Sequence, residues 1–379
     1  MRYDLLVIGD DPAGRWSAVS AAKLSKRVAI IEPPRDLLTE IERAARVKLP
    51  EILAEQLAME FARREGEPVS NTAKSRKASR MSTHAPRGRH ATLSVLHDRL
   101  RASADLDLSV FRELSERYDI ATFHGDARLI DPHSVLVDDE LQSHWLEAHR
   151  IVIATGTRPR RPERLPSDER SIIDSRTFWE RPAVPLGDTI VIGAGTTGAS
   201  HAALLASLGV AVRLIDGRND ALGERDQTTR DLLDFHRLTG RVVLDTGEEV
   251  IGIDQLANGR LQAVLTTGRR LGTQHALLAL ERLGMTEHLN LPAVNIRPDE
   301  NGRLWCDRYF RTFVSHIYGL GDVVGLPQTS LSAMDQGLRL VRHAFHTSRT
   351  RTAAMRRHLT GVRQAAFVDA PAIASQGAA

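Results

Sequence analysis

Thr189-Ile190-Val191-Ile192-Gly193-Ala194-Gly195-Thr196-Thr197-Gly198 decides the fold. An apolar, β-branched run enters a G-x-G-x-x-G turn, which opens into an alanine-rich segment reaching Leu208-Gly209. A second apolar run, Val212-Arg213-Leu214-Ile215, follows and ends in the acid Asp216. Strand, glycine turn, helix, strand and distal acid is the order of a dinucleotide-binding unit. The first glycine makes the tight turn, the second admits a pyrophosphate to the backbone, and the third lets helix pack on strand. The start of the helix offers unpaired amides and a positive dipole end to the phosphates. The acid accepts hydrogen bonds from a ribose diol. Gly193, Gly195, Gly198 and Asp216 are therefore candidate binding residues for NAD(P)H. Asp216 suits the free 2′-hydroxyl of NAD and Arg218 suits the 2′-phosphate of NADP, so the choice between them stays open.

The same pattern stands at the start of the chain. Tyr3-Asp4-Leu5-Leu6-Val7-Ile8 enters Gly9-Asp10-Asp11-Pro12-Ala13-Gly14, an alanine-rich helix follows, and Val28-Ala29-Ile30-Ile31 ends in Glu32. Twenty-three residues separate the first glycine from the acid in both copies, and Leu24 and Leu208 share the 184-residue offset of the two turns. The repeat predicts an α/β fold with two Rossmann-like dinucleotide-binding domains. The first copy differs at its middle position, where Asp11 replaces glycine. A carboxylate there takes the room a pyrophosphate needs and repels it, by roughly 4 kcal/mol for two charges ~4 Å apart at an effective dielectric of ~20. A carboxylate at a helix start is also a good cap, stabilising by ~1 kcal/mol. Asp10 or Asp11 is thus expected to satisfy the amides that a ligand would otherwise satisfy.

Across all 379 residues, 42% hydrophobic and 26% charged composition describes an ordinary globular chain of two or three domains. The net charge of +3 does not point to nucleic acid. Apolar runs are strand-sized, so no membrane span is expected, and the first is broken at once by Gly9-Asp10-Asp11, unlike a signal peptide. Cys306 is the sole cysteine, which excludes an intrachain disulfide, a cysteine metal cluster and a dithiol redox centre, and suits a reducing cytoplasm. The histidines lack metal-ligand spacing, so no metal site is expected. Cys306, in Arg303-Leu304-Trp305-Cys306-Asp307, reads as a packed strand residue rather than a nucleophile.

Three further segments carry a family resemblance. Ile151-Val152-Ile153-Ala154-Thr155-Gly156-Thr157-Arg158-Pro159 resembles the strand and A-T-G turn that close the flavin domain of two-dinucleotide flavoproteins. Thr312-Phe313-Val314-Ser315-His316-Ile317-Tyr318-Gly319-Leu320-Gly321-Asp322 resembles their T-x-x-x-x-I-Y-x-x-G-D motif, and Ser332-Ala333-Met334-Asp335-Gln336-Gly337 the start of their next helix. The branch resembled is that of soluble pyridine nucleotide transhydrogenase and dihydrolipoamide dehydrogenase, in the pyridine nucleotide-disulfide oxidoreductase family. Phe123-His124-Gly125-Asp126-Ala127-Arg128-Leu129-Ile130-Asp131 and Ile173-Asp174-Ser175 also read like that branch.

The resemblance implies FAD held by Gly9, Gly14, Glu32, Thr155, Gly156, Gly321 and Asp322, with Asp322 against the ribityl chain. It implies a nicotinamide nucleotide at the second repeat, with hydride passing to the flavin and on to another nicotinamide, a quinone or oxygen. The sequence names no acceptor and assigns no catalytic residue. Where the family carries G-G-x-C-x-x-x-G-x-x-P-S-K, this chain reads Glu32-Pro33-Pro34-Arg35-Asp36-Leu37-Leu38. Disulfide chemistry is therefore excluded, and the loop that steadies the flavin pyrophosphate is lacking. Ser200 stands where the family has glutamate, and Glu281-Arg282 where it has Gly-Arg. The chain stops where the family's C-terminal interface domain would begin, so a family-type homodimer is not expected. The alternative reading is a non-catalytic nucleotide-binding or protein-interaction descendant.

The expected boundaries are a FAD-type domain of residues 1–155 plus 285–350, an NAD(P)-binding domain of 156–284 inserted in it, and a tail of 351–379. Residues 36–65 read as helix, with Ile41, Ala45, Leu49, Ile52, Leu53, Leu57 and Phe61 at helical spacing. Residues 66–92 read as a basic mobile surface loop carrying Lys74, Arg76, Lys77, Arg80, Arg87 and Arg89. The loop lacks the interleaved aromatics that base stacking needs, so nucleic acid is not an expected partner.

Overall fold

Apolar runs too continuous for a one-sided sheet build the centre of each half of the protein. Leu5–Ile8 and Thr189–Ile192 are buried at every position, as strands covered on both faces must be. The computed structural model describes residues 2–33, 40–46, 48–49, 52, 88–139, 141–165, 167–180, 187–219, 227–326, 331–346, 355–357 and 359–360. The chain divides into unit 1, Met1–Asp36, Asp105–Arg158 and Arg282–Ala379, and unit 2, Leu37–Ala104 and Pro159–Glu281.

In unit 1 a five-stranded parallel sheet runs in the order Ile317–Gly319, Ile151–Ile153, Leu5–Ile8, Val28–Glu32, Ala121–His124. A second sheet sets Arg2–Tyr3 parallel to Ser143–Ala148, which pairs antiparallel with Ser134–Asp138, and that strand in turn with Asp126–Asp131. The helix Pro12–Ala22 follows the central strand, begins with proline in its first turn and takes Asp11 as N-cap. It packs along Ala333–Ala344, whose own start is capped by Ser332 accepting from the Asp335 amide. Close approach there needs Gly337, where a Cβ would come within 2.7 Å of the Ser17 nitrogen.

In unit 2 the parallel sheet runs Ile172–Asp174, His275–Leu278, Thr189–Ile192, Val212–Asp216, Val242–Thr246. A three-stranded antiparallel sheet, Val250–Gln255, Leu261–Leu265 and Arg270–Thr273, accompanies it. Both glycine strands thus lie third in five, each beside its own repeat's acid strand. The copies even end their helices alike. Gly209 (φ 78°) and Ser25 (φ 59°), 184 residues apart, occupy the left-handed turn after the helix. In each, the following amide reaches back five residues, Val210 to Leu205 and Lys26 to Ala21.

The unit boundaries differ from the expected ones. The helical residues 40–46 and 48–49, expected with the first domain, belong to unit 2. Ile41, Ala45 and Leu49, with Leu93, Leu96 and Leu100, share one core with Phe178, Trp179, Ala202 and Leu205. Val110, Phe111 and Leu114, later on the same helix Gly88–Arg117, share the core of Leu5, Val7 and Val28 instead. The unit division therefore falls inside that helix, which also takes residues 88–92 out of the expected loop. Residues 66–87, Leu53, Leu57, Phe61 and most of the expected tail lie outside the described residues. Among the described residues no helix is long and apolar enough to cross a membrane.

Candidate functional site

The second glycine turn shows a different job for each glycine. Gly193 adopts φ 98° and closes against the Ala279 carbonyl, where a Cβ would collide. A Cβ on Gly198 would overlap the Gly193 carbonyl, so only glycine allows helix and strand this close. At Gly195 a Cβ would meet nothing within 4 Å. That glycine begins the twelve-residue helix Thr196–Ser207, and no side chain caps it. An open space before uncapped, outward-pointing amides is the arrangement that receives an anion.

Asp216 stands at the end of the neighbouring strand, buried to 8% exposure, and faces the turn. Its Oδ2 accepts from the Ala194 amide at 2.7 Å and from Arg218 Nη2 at 2.9 Å. Its Oδ1 accepts from the Arg218 amide and from Arg218 Nε, both at 2.9 Å. Burial pushes the carboxyl's pKa up, but the Arg218 and Ala194 hydrogen bonds outweigh it and hold the group below the usual carboxylate value. The four acceptor positions of a carboxylate are thereby taken. Spacing placed Asp216 at this turn, whereas the closure by Arg218 escaped it. The signal was present in Asp216-Gly217-Arg218, an acid and a fork-shaped donor two residues apart.

The first glycine turn repeats the backbone and changes the contents. Gly9 has φ 104° and lies against the Ala154 carbonyl, and Gly14 lies against Val7 and the Ala154 methyl. The Gly9 amide donates to Ile31 at 2.8 Å, as the Gly193 amide donates to Ile215 at 2.8 Å. Asp11 occupies the middle position, buried to 5% exposure, and its Oδ1 accepts from the Ala13 amide at 2.9 Å. The carboxylate also lies against Gly321 (φ 73°), where a Cβ would overlap it.

Glu32 is buried at the end of its strand, its Oε1 3.9 Å from Arg15 Nε and its Oε2 3.9 Å from His124 Nδ1. Arg15 Nη2 lies 3.6 Å from Asp10 Oδ2, and its guanidinium sits 5.5 Å from the Phe111 ring centre. Thr155 Oγ1 is buried with no hydrogen-bond partner among the described residues. Gly156 takes φ 72°, and its carbonyl accepts from Met285. The Gly321 amide donates to Gln336 Oε1 at 3.0 Å, and Asp322 is exposed beside it. The structure thus brings Gly9, Gly14 and Glu32 together in unit 1 on adjacent strand ends, with Gly321 against Asp11. Arg15 and Gln336 are polar members of this region that spacing did not single out.

Cys306 is half-buried beyond the strand Leu304–Trp305, and burial pushes its thiol up to about 12, so it is no nucleophile near neutral pH. Among the described residues no group of three or more His, Cys, Asp or Glu is placed to hold a metal.

Residues 3–337 match the family described as pyridine nucleotide-disulphide oxidoreductase. The chain belongs to that family. It is 31% identical over 348 residues to soluble pyridine nucleotide transhydrogenases from Mycobacterium bovis and Mycobacterium tuberculosis, covering 90% of this chain and 70% of theirs. It is 32% identical over 343 residues to that of Chromohalobacter salexigens, covering 88% and 69%. Among solved structures, LpdA from Mycobacterium tuberculosis superposes with TM-score 0.71 at 22% identity, over 92% of this chain and 73% of that one. The HOCl-induced flavoprotein disulfide reductase RclA from Escherichia coli gives 0.65 at 21%, over 90% and 70%. At those identities the likeness establishes the fold alone.

Pyridine nucleotide-disulphide oxidoreductases depend on FAD and NAD(P), so each turn can be tested against its expected ligand. The unit 2 turn fits a dinucleotide pyrophosphate, since Gly195 leaves open space before an uncapped helix. The unit 1 turn does not fit one. Asp11 stands in the corresponding space and supplies the helix start with its own negative charge. Of the residues expected to hold flavin, Thr155 alone keeps a buried polar atom awaiting a partner.

Proposed function

We propose that the protein binds a nicotinamide dinucleotide in unit 2, on a scaffold inherited from the pyridine nucleotide-disulphide oxidoreductases. Gly193, Gly195 and Gly198 with the start of Thr196–Ser207 would take the pyrophosphate, and Asp216 with Arg218 would face the adenosine ribose. One observation carries this reading: a Cβ at Gly195 would meet nothing within 4 Å, at a helix start that lacks a side-chain cap. When bound, the dinucleotide supplies a hydride, and this chain's part is to hold and orient it. The single cysteine fits a reducing compartment, and the cytoplasm is the proposed location.

Transhydrogenase or diaphorase-type hydride transfer, the activity suggested by the relatives' names, needs a flavin as well. The unpartnered Thr155 hydroxyl is the observation that favours it. Asp11, in the pyrophosphate position of the unit 1 turn, stands against it. Titration of the full chain with NADH, read by nucleotide fluorescence, tests the reading. Gly195→Asp, which copies the first turn into the second, is expected to weaken binding about tenfold or more. Unchanged affinity in that variant would overturn the assignment.

A further inference from the structure

We propose that Asp11 is the built-in occupant of the first cradle: its carboxylate holds the place of a dinucleotide pyrophosphate, and the native protein carries no flavin in unit 1. The internal repeat supplies the comparison. Asp11 and Gly195 are equivalent positions, each the N-cap of the helix that follows its glycine turn. The next-turn amides of both helices reach back to them, Arg15 to the Asp11 carbonyl at 3.1 Å and Ala199 to the Gly195 carbonyl at 2.9 Å. The helix thus begins at the same place in both turns, and the residue at the cap differs, as do Pro12, which has no amide, and Thr196 just after it. At Gly195 an added Cβ would meet nothing within 4 Å. At Asp11 a buried carboxylate accepts from the Ala13 amide and closes against Gly321.

A carboxylate and a phosphate compete for the same property of a helix start, its unpaired donors and positive dipole end. An intramolecular carboxylate is already in place, whereas a free ligand must first meet the entropy cost of association. Two further features agree. The distal acid Glu32 is buried and faces the Arg15 guanidinium, and the chain has no glycine from Arg15 to Glu65 that could bring backbone close to a second phosphate.

Counting bound ADP per chain by equilibrium dialysis tests the proposal, because ADP carries the pyrophosphate and adenosine that either cradle would hold. Asp11→Gly in the full chain is expected to bind one ADP more than the parent protein. Asp11→Ser, which keeps a capping hydroxyl without the charge, carries the same expectation should the glycine variant fail to fold. The purified parent is expected to be colourless and to retain no FAD after dialysis against it. Stoichiometric FAD in the parent, or a folded Asp11 variant with no added ADP site, would overturn the proposal. The test is independent of the nucleotide reading of unit 2, which fails instead if the parent binds no nicotinamide nucleotide.

Discussion

Arg218 sets the charge that a nucleotide meets at the second turn. Its guanidinium grips both oxygens of Asp216 in a fork, the geometry in which arginine–carboxylate pairs are strongest. In the proposed site a ribose 2′-hydroxyl would find the Asp216 oxygens already engaged, whereas a 2′-phosphate would meet the exposed side of the Arg218 guanidinium. Arg218→Ala removes the two guanidinium bonds and leaves Asp216 with the Ala194 and residue 218 amides. It is expected to tighten NADH and weaken NADPH, each on the order of tenfold, for a charge-assisted bond of ~1.5 kcal/mol. Competition titration of the two nucleotides against the variant checks this, and a parallel change in both would contradict it. Spacing located Asp216 and left the bond network hidden, because side-chain direction is set by neighbours that a sequence does not order in space.

Among the elements, the contact between Thr196–Ser207 and Gln227–Leu238 holds a fully buried His236. Its Nε2 lies 3.0 Å from Ser207 Oγ, which donates onward to the Ala203 carbonyl, so the ring nitrogen is the donor to the hydroxyl. Burial, with Arg241 nearby, lowers the His236 pKa from 6.5 to about 4. The folded protein therefore binds this proton less readily than the unfolded chain. The contribution is fully present above pH 6.5 and is lost as pH falls toward 4. Unit 2 is expected to lose about 2 kcal/mol between pH 7 and pH 5 through this residue. Urea unfolding at both pH values should show a smaller loss in His236→Gln, and an equal loss would refute the assignment.

The elements themselves were largely legible. Strands 5–8, 28–32, 189–192 and 212–216 follow from largely apolar runs ended by glycine or acid, and the family resemblance of Ser332–Gly337 marked the start of the helix Ala333–Ala344. The helical residues 40–49 were legible as a helix but not as part of unit 2. An apolar face at helical spacing declares that it will be buried without naming the surface that buries it.

At the scale of the whole molecule, one core occurs twice, with four strands in the same order, the same glycine closures and the same helix-end turn, while the outermost strand comes last in the chain in unit 1 and first in unit 2. Duplication made the fold readable, since a constant offset of 184 residues between the glycines, the helix ends and the acids leaves few alternatives to two dinucleotide-type sheets. The two turns differ most at the residue that begins each helix, glycine in unit 2 and a capping carboxylate in unit 1. The proposed nucleotide content of the chain rests on that difference. The most direct test is the visible and ultraviolet spectrum of the purified chain after equilibration with FAD, NADH and NADPH and removal of free ligand. The near-ultraviolet band of a retained reduced nicotinamide and no visible flavin band are expected, whereas a stoichiometric flavin band, or no nicotinamide band, would contradict the assignment of the two turns.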